Sequence, residues 1–562
     1  MPHRAGDIMR RLCQYFFFSV VVAFLAVFLL LPVWTVVETG CHAGLIAEIF
    51  RNKIYVDGLI NSFQVAVVTT FGVFVVSLSL ALIYDKFDFP GKDMCNALML
   101  VPMILPPFVG ALGFQQLLGY YGIINTLLDT MGFARIDFLG GSGKFWSVCL
   151  IEMLHLYPIF YLNLVTALGN IDPALNESAA NLGAGKWRRF FKIQLPMMRP
   201  GILAGGSLVL VWSFTELGTP LMFGYNRVTP VQILNGLTEL ETNPLPYALV
   251  LIMLTVSAVM YIASRLLFGG STQAGSKGTL GSSAKKLSPV RGYLALGAFL
   301  LVTLIAALPH IILILCAFFK RYYNSLLPTG FTLEYFDSAL SNSLVLPSIM
   351  NSLRYSILAM LIAIAVGILI ALASCRWKLK GSRAADLLAM LPMAVPGVVI
   401  AFGFLSMSVK YSWAHAIFNP IENPLWLLAT AYAVRRIPYV VRAVSSGLEQ
   451  TPEELENAAR NFGAGPLRVL TKITLPLVAA NILVGGLFAF SFSMLEVSDS
   501  LILAQKSQFF PITRALFELS QILGSGPGIA CAFGVWAMLF LAATLAAASI
   551  MLGKKIGSIF KF

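Results

Sequence analysis

Two apolar stretches of the chain each contain a serine followed three residues later by a glutamate. The first holds Ser213 and Glu216, and the second holds Ser493 and Glu496, with Asp499 close behind. Removing a carboxylate from water is costly, so each acid is expected to face a water-filled cavity or a partner group. Carboxylate oxygens suit a hard cation, and the two glutamates could hold one if the stretches meet across a central pathway. The alternative is that the acids brace the surrounding helices or accept hydrogen bonds at helix N-termini.

Other patterns that carry chemistry are missing from the sequence. It contains no GxxxxGK[ST] motif, so the chain is not expected to hydrolyse ATP itself. The seven cysteines form no CxxC pair and support neither a zinc site nor a redox motif. His155 follows Glu152 by three residues, which places both on one helix face and predicts that they pair. A metal-ligand role for His155 is the alternative, but it has no counterpart in the second half. We predict no catalytic residue and no cofactor bound by this chain, and we assign no metal site.

A polar motif occurs twice, from Glu177 to Pro196 and from Asn457 to Pro476. Both copies hold Ala-Ala, then a Gly, then Ile-x-Leu-Pro, at identical internal spacing. Gly183 is expected to take a positive φ and end a short helix, and the second copy repeats this plan. Two ordinary connecting loops are not expected to share such spacing.

Each copy also has a start signal. Asp172-Pro173 supplies an N-cap and a first-turn proline for the first short helix, and Thr451-Pro452 does so for the second. Small alanines on these helices let another protein pack close to the backbone. We expect each motif to form a docking surface between two apolar spans.

The motif resembles the "EAA" loop of type I ABC importer permeases, the loop that docks onto the ATP-hydrolysing subunit. The resemblance implies two copies of an ABC ATPase subunit, which bind ATP and Mg, and an outer substrate-binding protein that is periplasmic or lipid-anchored. Asn457 departs from the pattern, because the family has Glu there, and the adjacent Glu456 faces about 100° away on a helix. The ATPase-coupling residues implied are Glu177, Ala179, Ala180, Gly183, Leu195 and Pro196, with Asn457, Ala458, Ala459, Gly463, Leu475 and Pro476.

Composition places these motifs in a membrane. Of the 562 residues, 58% are apolar and 12% are charged, and the mean hydropathy is +0.81. A soluble protein carries about 25% charged residues. The net charge of +13 does not indicate a nucleic-acid partner, because most Lys and Arg lie just outside apolar spans, as they do beside membrane lipid.

We therefore predict an all-α polytopic membrane protein with about twelve transmembrane helices in two parallel six-helix repeats, the type I ABC importer permease fold. Residues 1–268 form the first half with coupling loop 172–196, 269–291 form a cytoplasmic Gly/Ser/Lys linker, and 292–562 form the second half with coupling loop 451–476. The first apolar run is too long for a signal peptide and is predicted to remain as a helix. The predicted spans are 15–37, 60–84, 95–118, 145–167, 201–224, 246–268, 292–318, 351–374, 385–410, 425–447, 479–500 and 528–552.

Matches outside the motif support the repeat. Asn61-Ser62 corresponds to Asn351-Ser352, and Ala-Leu-Gly-Phe at 111–114 corresponds to Ala-Phe-Gly-Phe at 401–404. An even number of spans in each half makes the repeats parallel. Basic loops, including the one counted from Arg435 onward, predict that both termini are cytoplasmic in the bacterial inner membrane.

The expected function is that of a fused permease in a binding-protein-dependent ABC importer, working by alternating access. A single chain of twelve spans resembles the ferric iron permeases, and the paired acids agree with a hard cation, so we favour ferric iron. Thiamine and 2-aminoethylphosphonate permeases share this organisation and stay open as alternatives. A secondary transporter with two six-helix halves, or a membrane scaffold, would leave the paired motifs unexplained.

Overall fold

The computed structural model describes residues 2–104, 106–239, 243–268, 285–320 and 330–551. The first part of the chain is helical almost throughout, since its long apolar runs satisfy their backbone groups internally. Its helices are α1 (Pro2–Leu25), α2 (Leu31–Gly40), α3 (Ala43–Arg51), α4 (Lys53–Lys86), α5 (Lys92–Leu98), α6 (Val101–Ile104), α7 (Pro107–Leu118), α8 (Ile123–Thr130), α9 (Gly143–Gly169), α10 (Pro173–Asn181), α11 (Lys186–Arg189), α12 (Leu195–Met197), α13 (Arg199–Phe214), α14 (Gly218–Met222), α15 (Thr229–Asn235) and α16 (Leu245–Phe268).

The second part has the same character. Its helices are α17 (Pro289–Phe318), α18 (Glu334–Ser341), α19 (Val345–Leu372), α20 (Ser382–Ala394), α21 (Gly397–Lys410), α22 (Ser412–Ile417), α23 (Leu425–Gln450), α24 (Glu454–Asn461), α25 (Pro466–Val469), α26 (Leu475–Leu477), α27 (Ala479–Met494), α28 (Ser498–Leu503), α29 (Ile512–Gln521) and α30 (Gly526–Met551). Short π-helical segments lie at Ala26–Leu30, Phe190–Gln194, Ala373–Trp377 and Leu470–Thr474, and 3₁₀ turns at Gly236–Glu239 and Ser507–Phe509.

The prediction of an all-α polytopic membrane protein is confirmed. Within the described ranges, eight helices are long and apolar enough to cross a membrane, and two bent helix pairs bring the number to ten. All twelve predicted spans are largely helical, but the third is divided into α5, α6 and α7, and the ninth bends by 106° between α20 and α21. The tenth, α23, is less apolar than the others because it carries three arginines.

Equivalent helices form equivalent cores in the two halves. Helices α4, α9 and α13 pack on one another, as do α19, α23 and α27. The Asn-Ser pair that is matched in the sequence makes the same type of contact in both halves. Ser62 Oγ accepts a hydrogen bond from Thr229 N at 2.9 Å, and Ser352 Oγ accepts one from Ile512 N at 2.8 Å. Each pair thus fastens a long helix to the segment that follows the helix break described below.

The first helix of each half packs against the other half. Helix α2 lies on α21, and α17 lies on α7. A Cβ atom at Gly113 would come within 1.8 Å of Pro309 O, and one at Gly403 within 2.7 Å of Pro32 O. The matched glycines therefore permit the close crossing that joins the halves.

Most of the predicted linker lies outside the described residues. Its last part forms a two-residue parallel pair, in which β2 (Lys285–Lys286) lies beside β1 (Phe87–Asp88). Helix α17 begins at Pro289, inside the range predicted as linker. The described end of this segment is therefore attached to the C-terminal end of α4.

Candidate functional site

The first docking motif folds into two short helices joined by a tight turn. Asp172 Oδ1 accepts a hydrogen bond from Ala174 N at 2.9 Å and caps α10. At its other end Gly183 has φ +80°, and Ala184 N donates to Ala179 O at 2.9 Å, a Schellman-type ending. The chain then continues through α11, a π-helical segment and α12 into α13.

The second docking motif ends in the same way but begins differently. Gly463 has φ +85°, and Ala464 N donates to Ala459 O at 3.0 Å. The predicted start at Thr451-Pro452 is wrong, because α24 begins at Glu454. The Thr451 hydroxyl instead donates to Gly447 O at 2.9 Å, at the end of α23.

Both motifs present large apolar side chains to solvent at equivalent positions. Leu182 is 88% exposed and Trp187 77%, and their counterparts Phe462 and Leu467 are 92% and 72% exposed. Exposed apolar groups of this size are typical of surfaces that contact another protein or lipid. The predicted contact residues Glu177, Ala180, Asn457 and Ala458 are exposed beside them, Ala179, Ala459, Leu195 and Leu475 are partly exposed, and Pro196 and Pro476 begin the return toward the membrane.

Glu456 does not replace the glutamate missing at Asn457. Its side chain is buried, and it forms ion pairs with Arg376 at 2.8 Å and Arg460 at 3.1 Å. Nearby, the Lys378 ammonium donates to exposed Glu453 at 3.1 Å and lowers the pKa of that carboxyl. The second motif therefore offers no exposed carboxylate at the position equivalent to Glu177.

The predicted pathway glutamates occupy equivalent breaks in two helices. Glu216 lies between α13 and α14, and Glu496 lies between α27 and α28. Glu216 Oε1 accepts hydrogen bonds from Gly218 N at 3.1 Å and Thr219 N at 3.3 Å, so it stabilises the start of α14. These contacts match the helix N-terminus alternative that the sequence left open, and a pathway role for Glu216 stays a prediction.

Glu496 has different partners. Its two carboxylate oxygens form short ion pairs with Arg435 and Arg436 of α23. Asp499 is fully buried, its nearest ion-pair contact is Arg435 at 3.6 Å, and neither of its oxygens accepts a hydrogen bond in the described part of the chain. Arg435 and Arg436 thus lie within the helix, not in the basic inner loop to which the sequence analysis assigned them.

The serines of this region also differ between the halves. Ser213 donates to Glu152, whereas the buried Ser493 hydroxyl has no hydrogen-bond partner among the described residues. The predicted pairing of His155 with Glu152 is wrong. His155 Nδ1 lies 3.1 Å from Pro102 O, a carbonyl of the broken third span.

A family model described as "Binding-protein-dependent transport system inner membrane component" matches residues 15–269 and 363–550. This chain belongs to that family. The match covers both docking motifs and both helix breaks, and it makes the chain a multi-pass inner membrane component of a binding-protein-dependent transport system.

Curated relatives of this inner membrane component include two that align over most of its length. The ferric transport system permease protein FbpB of Actinobacillus pleuropneumoniae is 25% identical over 519 residues, 87% of this chain and 69% of the relative. The Fe(3+)-transport system permease protein FbpB 2 of Haemophilus influenzae is 23% identical over 87% of this chain and 89% of its own. A 2-aminoethylphosphonate transport system permease protein of Salmonella typhimurium is 29% identical over 35% of this chain and 70% of its own.

The sequence analysis missed six members of the site, which are Arg435, Arg436, Leu182, Trp187, Phe462 and Leu467. The arginines of α23 were visible as charges inside a predicted span, which is a signal for a buried partner. Leu182 and Phe462 were visible as apolar residues at matched positions of a polar motif. Both signals are present in the sequence, but neither identifies the group that these residues contact.

Proposed function

We propose that this chain is the permease of an ATP-driven importer for ferric iron. The proposed substrate rests on the share of this chain that aligns with each group of relatives. Relatives named for ferric transport align over 81–87% of the chain and include both halves. A relative named for molybdenum transport aligns over 42% of the chain and the 2-aminoethylphosphonate relative over 35%, which makes molybdate and 2-aminoethylphosphonate the next candidates, with thiamine behind them.

Energy comes from two copies of an ABC ATPase subunit, one at each docking motif. The matched exposed pairs, Leu182 with Trp187 and Phe462 with Leu467, give each subunit an apolar surface to cover. ATP and Mg bind the partner, since this chain has no phosphate-binding loop. This chain is therefore the channel and not the enzyme.

The orientation of the chain in the membrane is inferred from the positions of its Lys and Arg residues. Both termini and the docking motifs lie in the cytoplasm, because the basic loops are on that side. Residues 1–268 and 292–562 act as the two halves, and a periplasmic or lipid-anchored binding protein delivers the substrate from the other side.

The path from ATPase to substrate is short along the chain. Each docking motif continues through a π-helical segment into α13 or α27, and each of those helices ends at a glutamate-bearing break. Movement of a docked ATPase pair would shift the breaks and switch the access of the pathway. Discontinuous helices of this kind are typical of transporter binding sites.

Reconstitution with the cognate ATPase and binding protein tests the proposal. We expect ATP-dependent uptake of ferric iron into proteoliposomes, and none of thiamine, 2-aminoethylphosphonate or molybdate. Uptake of one of those solutes in place of iron would identify that solute as the substrate instead. Uptake that proceeds without the ATPase would instead indicate a secondary transporter.

A further inference from the structure

The side chain of Arg376 connects three elements at the docking side of the second half. It lies in the π-helical segment Ala373–Trp377 that ends α19. Its Nε donates to Glu456 Oε1 of α24 at 2.8 Å, and its Nη2 donates to Leu448 O at 2.8 Å and Thr451 O at 2.7 Å, at the end of α23. Only a guanidinium has donors in a planar fork that can reach a carboxylate and two carbonyls together.

The carboxylate at the centre of this network has a partner on both oxygens. Glu456 Oε2 accepts from Arg460 at 3.1 Å, and Arg460 also donates to Asn457 at 2.8 Å. The side chains of Glu456 and Arg376 are 6% and 7% exposed. Water therefore does not compete well for these bonds, and the docking helix α24 is fixed to the ends of α19 and α23.

The described residues of the first half form no such network. Lys86 occupies the position equivalent to Arg376, and its ammonium lies over the Phe190 ring at 5.9 Å. Asn176 stands where the second half has Glu456, and its backbone carbonyl, not its side chain, accepts from Arg189 at 3.3 Å. In the described ranges no ion pair holds α10 to the rest of the half.

We propose that Arg376 is a positioning residue for transport. It binds Glu456 and the end of α23, so the second docking motif moves as one body with the membrane helices, whereas the first is held more loosely. The second motif then transmits more of the ATPase movement than the first. This inference rests on the proposed function only in that an ATPase docks on both motifs.

Two variants and one matched control test this role in the full reconstituted complex. Glu456→Gln removes the charge at the centre of the network but leaves Arg376 bonded to the carbonyls. Arg376→Lys keeps the positive charge but loses the planar guanidinium that reaches the carboxylate and both carbonyls. Asn176→Ala changes the equivalent position of the first half. The measurements are co-purification of the ATPase, ATP hydrolysis, and substrate taken up per ATP hydrolysed.

We expect Glu456→Gln and Arg376→Lys to retain the ATPase while uptake per ATP falls about tenfold, within the usual range of coupling between sites. Asn176→Ala should stay within about twofold of wild type. Unchanged uptake per ATP in both second-half variants would overturn the inference. So would loss of ATPase binding in either of them, or an equal loss of coupling in Asn176→Ala. Failure of the unaltered chain to bind the ATPase would refute the proposed function instead.

Discussion

Replacing Glu496 by Gln removes the carboxylate that lies between Arg435 and Arg436. The Glu496 side chain is 6% exposed, and those of the two arginines are 19% and 11% exposed. The variant therefore leaves two cations in a poorly hydrated region with Asp499 as the nearest acid, at 3.6 Å from Arg435. The sequence alone had left open that Glu216 and Glu496 hold a cation together across a central pathway.

The contacts of Glu496 and Glu216 determine how much folding stability each Gln variant should lose. Removing one member of a buried ion pair costs about 3–5 kcal/mol, chiefly because the remaining charge stays buried. Glu216→Gln is the matched control, since Glu216 bonds two backbone amides and has no ion-pair partner among the described residues. A glutamine oxygen still accepts such bonds, so only the attraction of the charge to a helix N-terminus is lost, about 0.3–1 kcal/mol.

The assay is the yield of intact complex and its thermal unfolding in detergent. We expect Glu496→Gln to lower both clearly and Glu216→Gln to leave them near wild type. Adding Arg436→Leu to Glu496→Gln should restore part of the loss, because Arg435 keeps Asp499 as its contact and the uncompensated charge of Arg436 is then removed. Wild-type stability of Glu496→Gln, or no recovery in the double variant, would refute the reasoning.

Other predictions concern the docking motifs and the topology. Gly183→Val and Gly463→Val should each destabilise the docking motif by about 2 kcal/mol, because valine is strained at a positive φ. Steric clash adds nothing, since a Cβ would meet no atom within 4 Å at either site. The double variant should lose substrate-stimulated ATP hydrolysis, and undiminished stimulation would contradict the docking assignment. Glu177→Gln should weaken ATPase association by about 0.5–1 kcal/mol and more than Asn457→Ala, as measured by titration at low salt; equal losses would make the charge irrelevant. A reporter fused after Ser276 should be cytoplasmic, and periplasmic labelling would reverse the topology.

The repeat could be predicted because its matched residues have structural tasks that do not depend on the substrate. Asn61-Ser62 and Asn351-Ser352 fasten equivalent elements in the two halves, and Gly113 and Gly403 admit equivalent crossing helices, α17 and α2. Such requirements leave identical residues at identical spacing. The all-α fold follows from the apolar runs, because a spanning segment must satisfy its own backbone.

The breaks within spans were harder to predict. Hydropathy does not register a bend, and the run from Ser382 to Lys410 reads as one apolar span although it turns by 106° before Gly397. Only Pro392 and Pro396 indicate a kink there, without giving its angle. The partners of the acids were hidden for another reason. Glu496 is about 60 residues from Arg435, and only the packing of α23 on α27 brings them together.

The central claim is that an ATPase covers both docking motifs, and cysteine cross-linking tests it most directly. Leu182→Cys and Phe462→Cys would be placed singly in a chain whose exposed Cys13 and Cys41 are replaced by Ser, with Met131→Cys, which is 62% exposed on the predicted outer side, as the control. We expect both motif cysteines to cross-link to the ATPase, with yields that change when ATP is added, and none from Met131→Cys. No cross-link from either motif, in a complex that still transports, would contradict the account.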